Sequence, residues 1–244
     1  MKTILVTGGT GGLGRPTVAR LRAAGHEVRI LSRRPGPDHV VGDLSTGAGL
    51  AEALAGVDTV LHLATNRRRD APDTARLLAA SAGIAHIVFI SIVGVERIPY
   101  GYYRDKVACE ALVAESGIPF TILRATQFHD FVGAFLHAQR RLPVVLSLGV
   151  PVQTIAVEEV AERLVQLADG EPAGRVPDIG GPEVNQLNEL VAIWQAAFST
   201  RKPVWTLHLP GKAIAAFRAG HHTTGLPGYG RTTFAEYAAA EARR

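Results

Sequence analysis

The chain has 244 residues, 47% hydrophobic and 20% charged, enough for one sizeable core or a core with a small lobe. Its formal charge of +4 is scattered, with no long Lys/Arg block and no interleaved aromatics, which argues against a nucleic-acid partner and suits an anionic ligand. The one cysteine, Cys109, excludes an intrachain disulfide framework, no apolar stretch is long enough for a bilayer, and glycines interrupt the N-terminal apolar run, so a cytoplasmic location is expected, with no membrane span and no signal peptide.

Thr3 to Val6 is an apolar run of the kind that makes a buried strand. Gly8, Gly11 and Gly14 follow in the spacing G-x-x-G-x-x-G, and an amphipathic segment from about Leu13 to Ala24 closes at Gly25. Strands are then expected at Glu27 to Leu31, His39 to Leu44, Asp58 to Leu63, His86 to Ser91 and Phe120 to Leu123. Helices are expected between them at Leu50 to Ala55, Asp73 to Ala82 and Tyr102 to Ser116. This alternation with short connections predicts an α/β fold, a doubly wound parallel sheet of the Rossmann type. After Arg124 the rhythm changes. Helices are expected at Gln127 to Arg141, Glu158 to Asp169, Leu187 to Phe198, Pro210 to Ala219 and Thr233 to Ala242. Extended segments are expected at Leu142 to Leu148, Pro151 to Val157, Val176 to Ile179 and Val204 to Leu209, and residues 221–231 as a loop. Residues 1–244 thus read as one dinucleotide-binding domain, with roughly 127–141 and 181–244 forming a small substrate lobe.

The glycine turn carries the dinucleotide reading. One glycine lets the chain turn sharply at the strand end, a second admits a pyrophosphate to the main chain, and a third lets the helix pack against the strand. The helix N-terminus then offers N–H groups and partial positive charge. Gly8, Thr10, Gly11, Gly12, Leu13, Gly14 and Arg15 are the expected diphosphate contacts. After the second strand stand Ser32, Arg33 and Arg34, where a carboxylate would hold the ribose of NAD. Two guanidiniums and a hydroxyl favour the 2′-phosphate of NADP, with NAD as the second choice; the other reading of both arginines is solvated loop charge. Asp43 and Leu44 are expected at the adenine, or Asp43 caps the following helix. Leu63, Ala64 and Thr65 leave room for a ribose. Asn66-Arg67-Arg68-Arg69-Asp70 reads as a solvated face, with anion binding as the lesser alternative.

Tyr102 and Lys106 are four apart and share a helix face. A lysine beside a phenol makes it a usable acid or base. Ser91 ends the fifth strand, near where a substrate would lie. Thr126, Gln127, Phe128, His129 and Phe131 are candidates for a substrate pocket, or alternatively for a packed helix start. The histidines show no metal spacing, Trp194 and Trp205 read as core, and Cys109 reads as a packed small residue.

These motifs resemble the short-chain dehydrogenase/reductase superfamily, in its atypical, NmrA-like branch. The resemblance rests on residues 7–14, on Ile90-Ser91-Ile92-Val93-Gly94, on Tyr102 to Lys106 with Glu110, and on Gly117-Ile118-Pro119-Phe120-Thr121-Ile122-Leu123-Arg124. It implies that Ser91 polarises the substrate, Tyr102 transfers the proton, and Lys106 binds the nicotinamide ribose and tunes Tyr102. Tyr103 is the competing phenol. The branch also holds sensors that lack the tyrosine, so Tyr102 favours an enzyme. The expectation is an NADP(H)-dependent oxidoreductase acting on a small carbonyl, enone or quinone-like substrate, as a monomer or homodimer. The alternatives are a non-catalytic NADP(H) redox sensor and a cofactor-assisted isomerase or dehydratase.

Overall fold

The computed structural model describes residues 1–243. In chain order the first elements are β1 (Thr3–Thr7), α1 (Gly14–Ala23), β2 (Glu27–Ser32), β3 (His39–Val41), α2 (Leu50–Leu54), β4 (Thr59–His62), α3 (Asp70–Ala80), β5 (His86–Ile92), α4 (Gly101–Glu115) and β6 (Phe120–Ala125). They are followed by α5 (His129–Ala138), β7 (Val145–Leu148), β8 (Pro151–Val152), α6 (Val157–Asp169), β9 (Gly174–Arg175), β10 (Asn185–Gln186), α7 (Leu187–Ala197), β11 (Val204–Leu207), α8 (Lys212–Arg218) and α9 (Phe234–Glu241). The chain divides into two compact units, one of residues 1–91, 101–124 and 160–177, the other of residues 92–100, 125–159 and 178–244.

The first unit carries a seven-stranded sheet in the order β3-β2-β1-β4-β5-β6-β9. β1 pairs parallel with β2 and β4, β2 with β3, β4 with β5 and β6 with β9, and Val6 stands opposite both Ile30 and Leu61. The apolar runs of β1, β4 and β5 are what such a sheet needs, because both faces are covered. Leu5, Val60, Ile87 and Phe89 meet Leu77 of α3 and Val113 of α4 in one core. Each such buried side chain contributes about 1.5–3 kcal/mol. Arg124 at the end of β6 donates from Nε and Nη2 to the two carboxylate oxygens of Glu110 on α4, at 2.8 and 2.6 Å. Two motif residues thus lock a helix to a strand.

The second unit is built on smaller pieces. β8 pairs antiparallel with β10, and β7 pairs parallel with β11. Val132, Leu136, Leu190, Val191 and Phe234 form its core. Capping boxes start α7 at Gln186 with Glu189 and α9 at Thr233 with Glu236.

Several expectations are corrected. The strand expected at Val176 to Ile179 lies two residues earlier, as β9; Ile179 makes an isolated bridge to Ala125. β3 stops at Val41, because Gly42 to Gly47 form a turn around Asp43. α3 begins at Asp70, three residues before the apolar periodicity starts. Trp205 is 61% exposed, since β11 belongs to a two-stranded sheet with one face uncovered. Trp194 does pack, stacked on Phe198. Among the described residues no helix is long and apolar enough to cross a membrane.

Candidate active site

The glycine turn stands at the switch point of the sheet, where β1 has β2 on one side and β4 on the other. Gly8 has φ +72°, and a Cβ there would lie 2.8 Å from the Ala64 backbone nitrogen. A Cβ on Gly14 would lie 2.1 Å from the Gly8 carbonyl oxygen, so α1 abuts the turn. At Gly12 a Cβ would meet nothing within 4 Å, and Thr10, Gly11 and Gly12 are exposed. No acidic residue stands in the first turn of α1, and the Leu13 side chain makes no cap. Arg15 donates from Nε to the Thr10 carbonyl and keeps its guanidinium beside the turn. An open glycine face, an uncapped helix end and a cation fit a dinucleotide diphosphate.

Around this turn the expected cofactor residues take definite places. The Ser32 hydroxyl accepts from the Arg34 N–H at 3.1 Å, and the side chains of Arg33 and Arg34 are exposed. Asp43 accepts from the N–H and hydroxyl of Ser45, and these bonds hold its carboxyl below the usual range. It therefore caps its own turn and not α2, whose cap position is Gly49. Leu44 packs against the first unit's core, and Leu63 is buried. Ala64 is fixed by donating its N–H to the Thr7 hydroxyl. That hydroxyl also lies 2.7 Å from Nδ1 of the buried His62, whose Nε2 lies 3.0 Å from the Thr74 hydroxyl. Thr74 donates to the Cys109 sulfur, so the consistent tautomer carries its proton on Nε2. Burial, and after it the Lys106 charge, push His62 down to about 3. Cys109 is buried, which pushes its thiol up to about 11 and leaves it a packing residue.

The catalytic candidates on α4 meet the loop after β4. Tyr102 Oη is 3.2 Å from Thr65 Oγ1, which donates to Asp70 Oδ2 at 2.5 Å. Asp70 Oδ2 is in turn 3.4 Å from Lys106 Nζ. Lys106 is buried, 4.9 Å over the Phe89 ring and 5.9 Å over the Tyr102 ring. Tyr102, Thr65, Asp70 and Lys106 thus form one line from surface to interior. Burial acts to raise the Asp70 carboxyl, but the Thr65 hydrogen bond, Lys106 and the Asn66 N–H outweigh it and hold the group below the usual range. Asp105 accepts from the Asp70 and Ala71 N–H groups and caps α3. Ser91 is buried at the end of β5, and its hydroxyl has no hydrogen-bond partner among the described residues. Tyr103 is buried, with its ring 6.2 Å from that of Tyr102.

The pocket candidates of the second unit divide. His129 is fully buried, with its ring bonded to the Thr154 hydroxyl at 2.8 Å and the Thr232 carbonyl at 3.0 Å and stacked on Tyr237. Both its nitrogens are engaged, and its contacts are those of a packed helix start. Phe128 bridges to Ile155, Phe131 is 55% exposed, and Ile155 donates to the Gln127 carbonyl. The Thr126 hydroxyl is buried without a partner among the described residues. Asp70 is the site residue that the sequence reading passed over. No local pattern marks it, since Lys106, which singles it out, comes from α4.

Sheet order and turn together define a dinucleotide-binding protein of the doubly wound, Rossmann type. The comparisons sharpen this: the model of the NAD(P)H-binding family matches residues 8–171, and the chain belongs to that family. It is 35% identical over 204 residues, 78% of this chain and 71% of the other, to the (4-alkanoyl-5-oxo-2,5-dihydrofuran-3-yl)methyl phosphate reductase of Streptomyces griseus. It spans about half the length of other curated relatives that it matches. Among solved structures, an NADPH-dependent quinone oxidoreductase of Escherichia coli in complex with NADPH superposes with a TM-score of 0.84 at 20% identity, over 98% of this chain and 99% of that one. The Citrobacter triphenylmethane reductase with NADP(H) gives 0.81 at 19%, over 98% and 99%. At these identities the likeness is one of fold. The expected superfamily, sheet and nicotinamide dinucleotide are borne out.

Proposed function

We propose that this protein is an NADPH-dependent reductase of a small carbonyl, enone or quinone-like substrate, with Tyr102 as proton donor. The observation that carries this reading is the line Tyr102–Thr65–Asp70–Lys106 beside a dinucleotide-binding turn. The bound dinucleotide supplies the hydride. The chain's own residues supply the proton and its placement. Thr65 gives its hydroxyl hydrogen to Asp70, so in the resting site the phenol donates to Thr65. Once the phenol has protonated the substrate, the Thr65 hydroxyl turns to the phenolate, and the Lys106 cation favours that charge. Asp70 holds Lys106 in the interior and offsets part of its field. The buried Ser91 hydroxyl, without a partner among the described residues, is the candidate donor to a substrate oxygen. The oxo-dihydrofuran named in the substrate of the Streptomyces griseus relative supports a conjugated oxo ring as the acceptor.

The test is NADPH consumption against a panel of quinones, enones and aldehydes. Tyr102→Phe is expected to lose about 10²–10⁴-fold in rate while still binding NADPH. Absence of turnover with every acceptor despite tight dinucleotide binding, or an undiminished Tyr102→Phe, overturns the reading. The absence of a carboxylate after β2, with Arg33 and Arg34 exposed there, supports NADPH over NADH. Arg33→Ala is therefore expected to weaken NADPH much more than NADH in calorimetry, and equal losses would refute the phosphate assignment.

A further inference from the structure

Tyr102 also lines a surface cleft of about 540 Å³, whose other walls are Arg67, Arg68, Gly101, Arg104, Asp105 and Ala108. Three arginines and one acidic residue line it. That carboxylate is already engaged, because Asp105 accepts from the first N–H groups of α3. The backbone of the arginine loop is held by two side chains. Asn66 Oδ1 accepts from the N–H groups of Arg68 and Arg69, at 2.9 and 2.6 Å. Asp70 Oδ1 accepts from those of Asn66 and Arg67, at 2.7 and 3.1 Å. Arg67 is held at φ +63°, a left-handed conformation that is unfavourable for a side-chain-bearing residue and persists where the surroundings over-determine it. Arg68 and Arg104 are exposed. A loop with a locked main chain therefore presents cations beside the phenol.

We propose that this cleft binds an anionic arm of the substrate, of the phosphate-monoester class, and so seats the reducible group against Tyr102. A phosphate monoester carries about −1.5 to −2 charges at neutral pH and accepts the forked donors of arginine in pairs. This inference rests on the reading of Tyr102 as the proton donor; the anion site itself is testable apart from it.

Phenyl phosphate is titrated by calorimetry into the full chain saturated with NADPH, so that the dinucleotide's own phosphate sites are filled. Saturable binding is expected, weakened at least tenfold in Arg68→Ala/Arg104→Ala and recovered in part by Arg68→Lys/Arg104→Lys, with the NADPH Kd unchanged and Tm confirming folded variants. Weakening with rising salt is expected as well. No binding to the NADPH-saturated protein, or the same Kd in the alanine variant, overturns the proposal. Turnover separates the two readings. Phosphate binding that depends on the arginines, together with an undiminished Tyr102→Phe, would leave the anion site standing and remove the proton donor. Absent phosphate binding together with a dead Tyr102→Phe would do the reverse.

Discussion

At the scale of single residues the decisive pair is Asp70 and Lys106, both buried and 3.4 Å apart. Asp70→Asn keeps an acceptor for Thr65 but strips the cation of its counter-charge. Breaking one side of a buried pair costs about 3–5 kcal/mol. Denaturant unfolding of Asp70→Asn is expected to show a loss of that order, and Asp70→Asn/Lys106→Met a smaller one, because no unpaired charge remains. A loss below about 1 kcal/mol in the single variant would mean the pair is solvated. The pH sign follows from the lowered carboxyl. Its contribution is whole above the ordinary value of 3.8 and is lost as pH falls through the folded value. The sequence made Tyr102 and Lys106 legible through their spacing, because an i,i+4 pair is a local fact. Asp70 was not, because its partner is 36 positions away and only the folded chain brings α3 against α4. His62 was hidden for a related reason: in a run of four buried strand residues nothing marks the one whose ring is bracketed by Thr7 and Thr74.

At the scale of elements the glycine turn offers a contrast within one loop. Gly14→Ala drives a Cβ into the Gly8 carbonyl, whereas Gly12→Ala points one into open space. Gly14→Ala is therefore expected to lower Tm by several degrees and to weaken NADPH together with it. Gly12→Ala is expected to leave Tm within about a degree while weakening NADPH at least tenfold, because the added methyl stands where a diphosphate would approach. Thermal melts with and without NADPH check both, and unaltered NADPH binding by Gly12→Ala would remove the turn from the cofactor site. The regular half of the fold was readable since each parallel strand there is a short apolar run closed by a glycine or a cap. The second unit was harder. Its strands are two to four residues long and paired on one side, so alternation in Val204–Leu207 did not report burial; in the first unit the edge strand β9 likewise fell outside the apolar stretch that suggested it.

At the scale of the whole molecule, four buried imidazoles set the acid limit. Burial lowers His62, His86, His129 and His222, the first to about 3 and the last to about 4. In the unfolded chain each takes up a proton near 6.5, which the folded state refuses until a lower pH. Stability is therefore full above about pH 6.5 and falls as the pH drops from there toward 4. At about 1.4 kcal/mol per unit, His62 alone accounts for several kcal/mol across that window. Tm measured from pH 7.5 to 4.5 is expected to decline steadily, with a shallower decline in His62→Gln; a flat profile would show that these rings titrate freely.

Asp105 carries two duties at once, as a wall of the arginine cleft and as the cap that fastens α3 beneath it. Anyone retargeting the chain to a new acceptor thus has unequal freedom within a single cleft. Positions 68 and 104 are open to redesign as interchangeable fittings, whereas altering 105 would loosen the floor on which Asp70 and Lys106 stand.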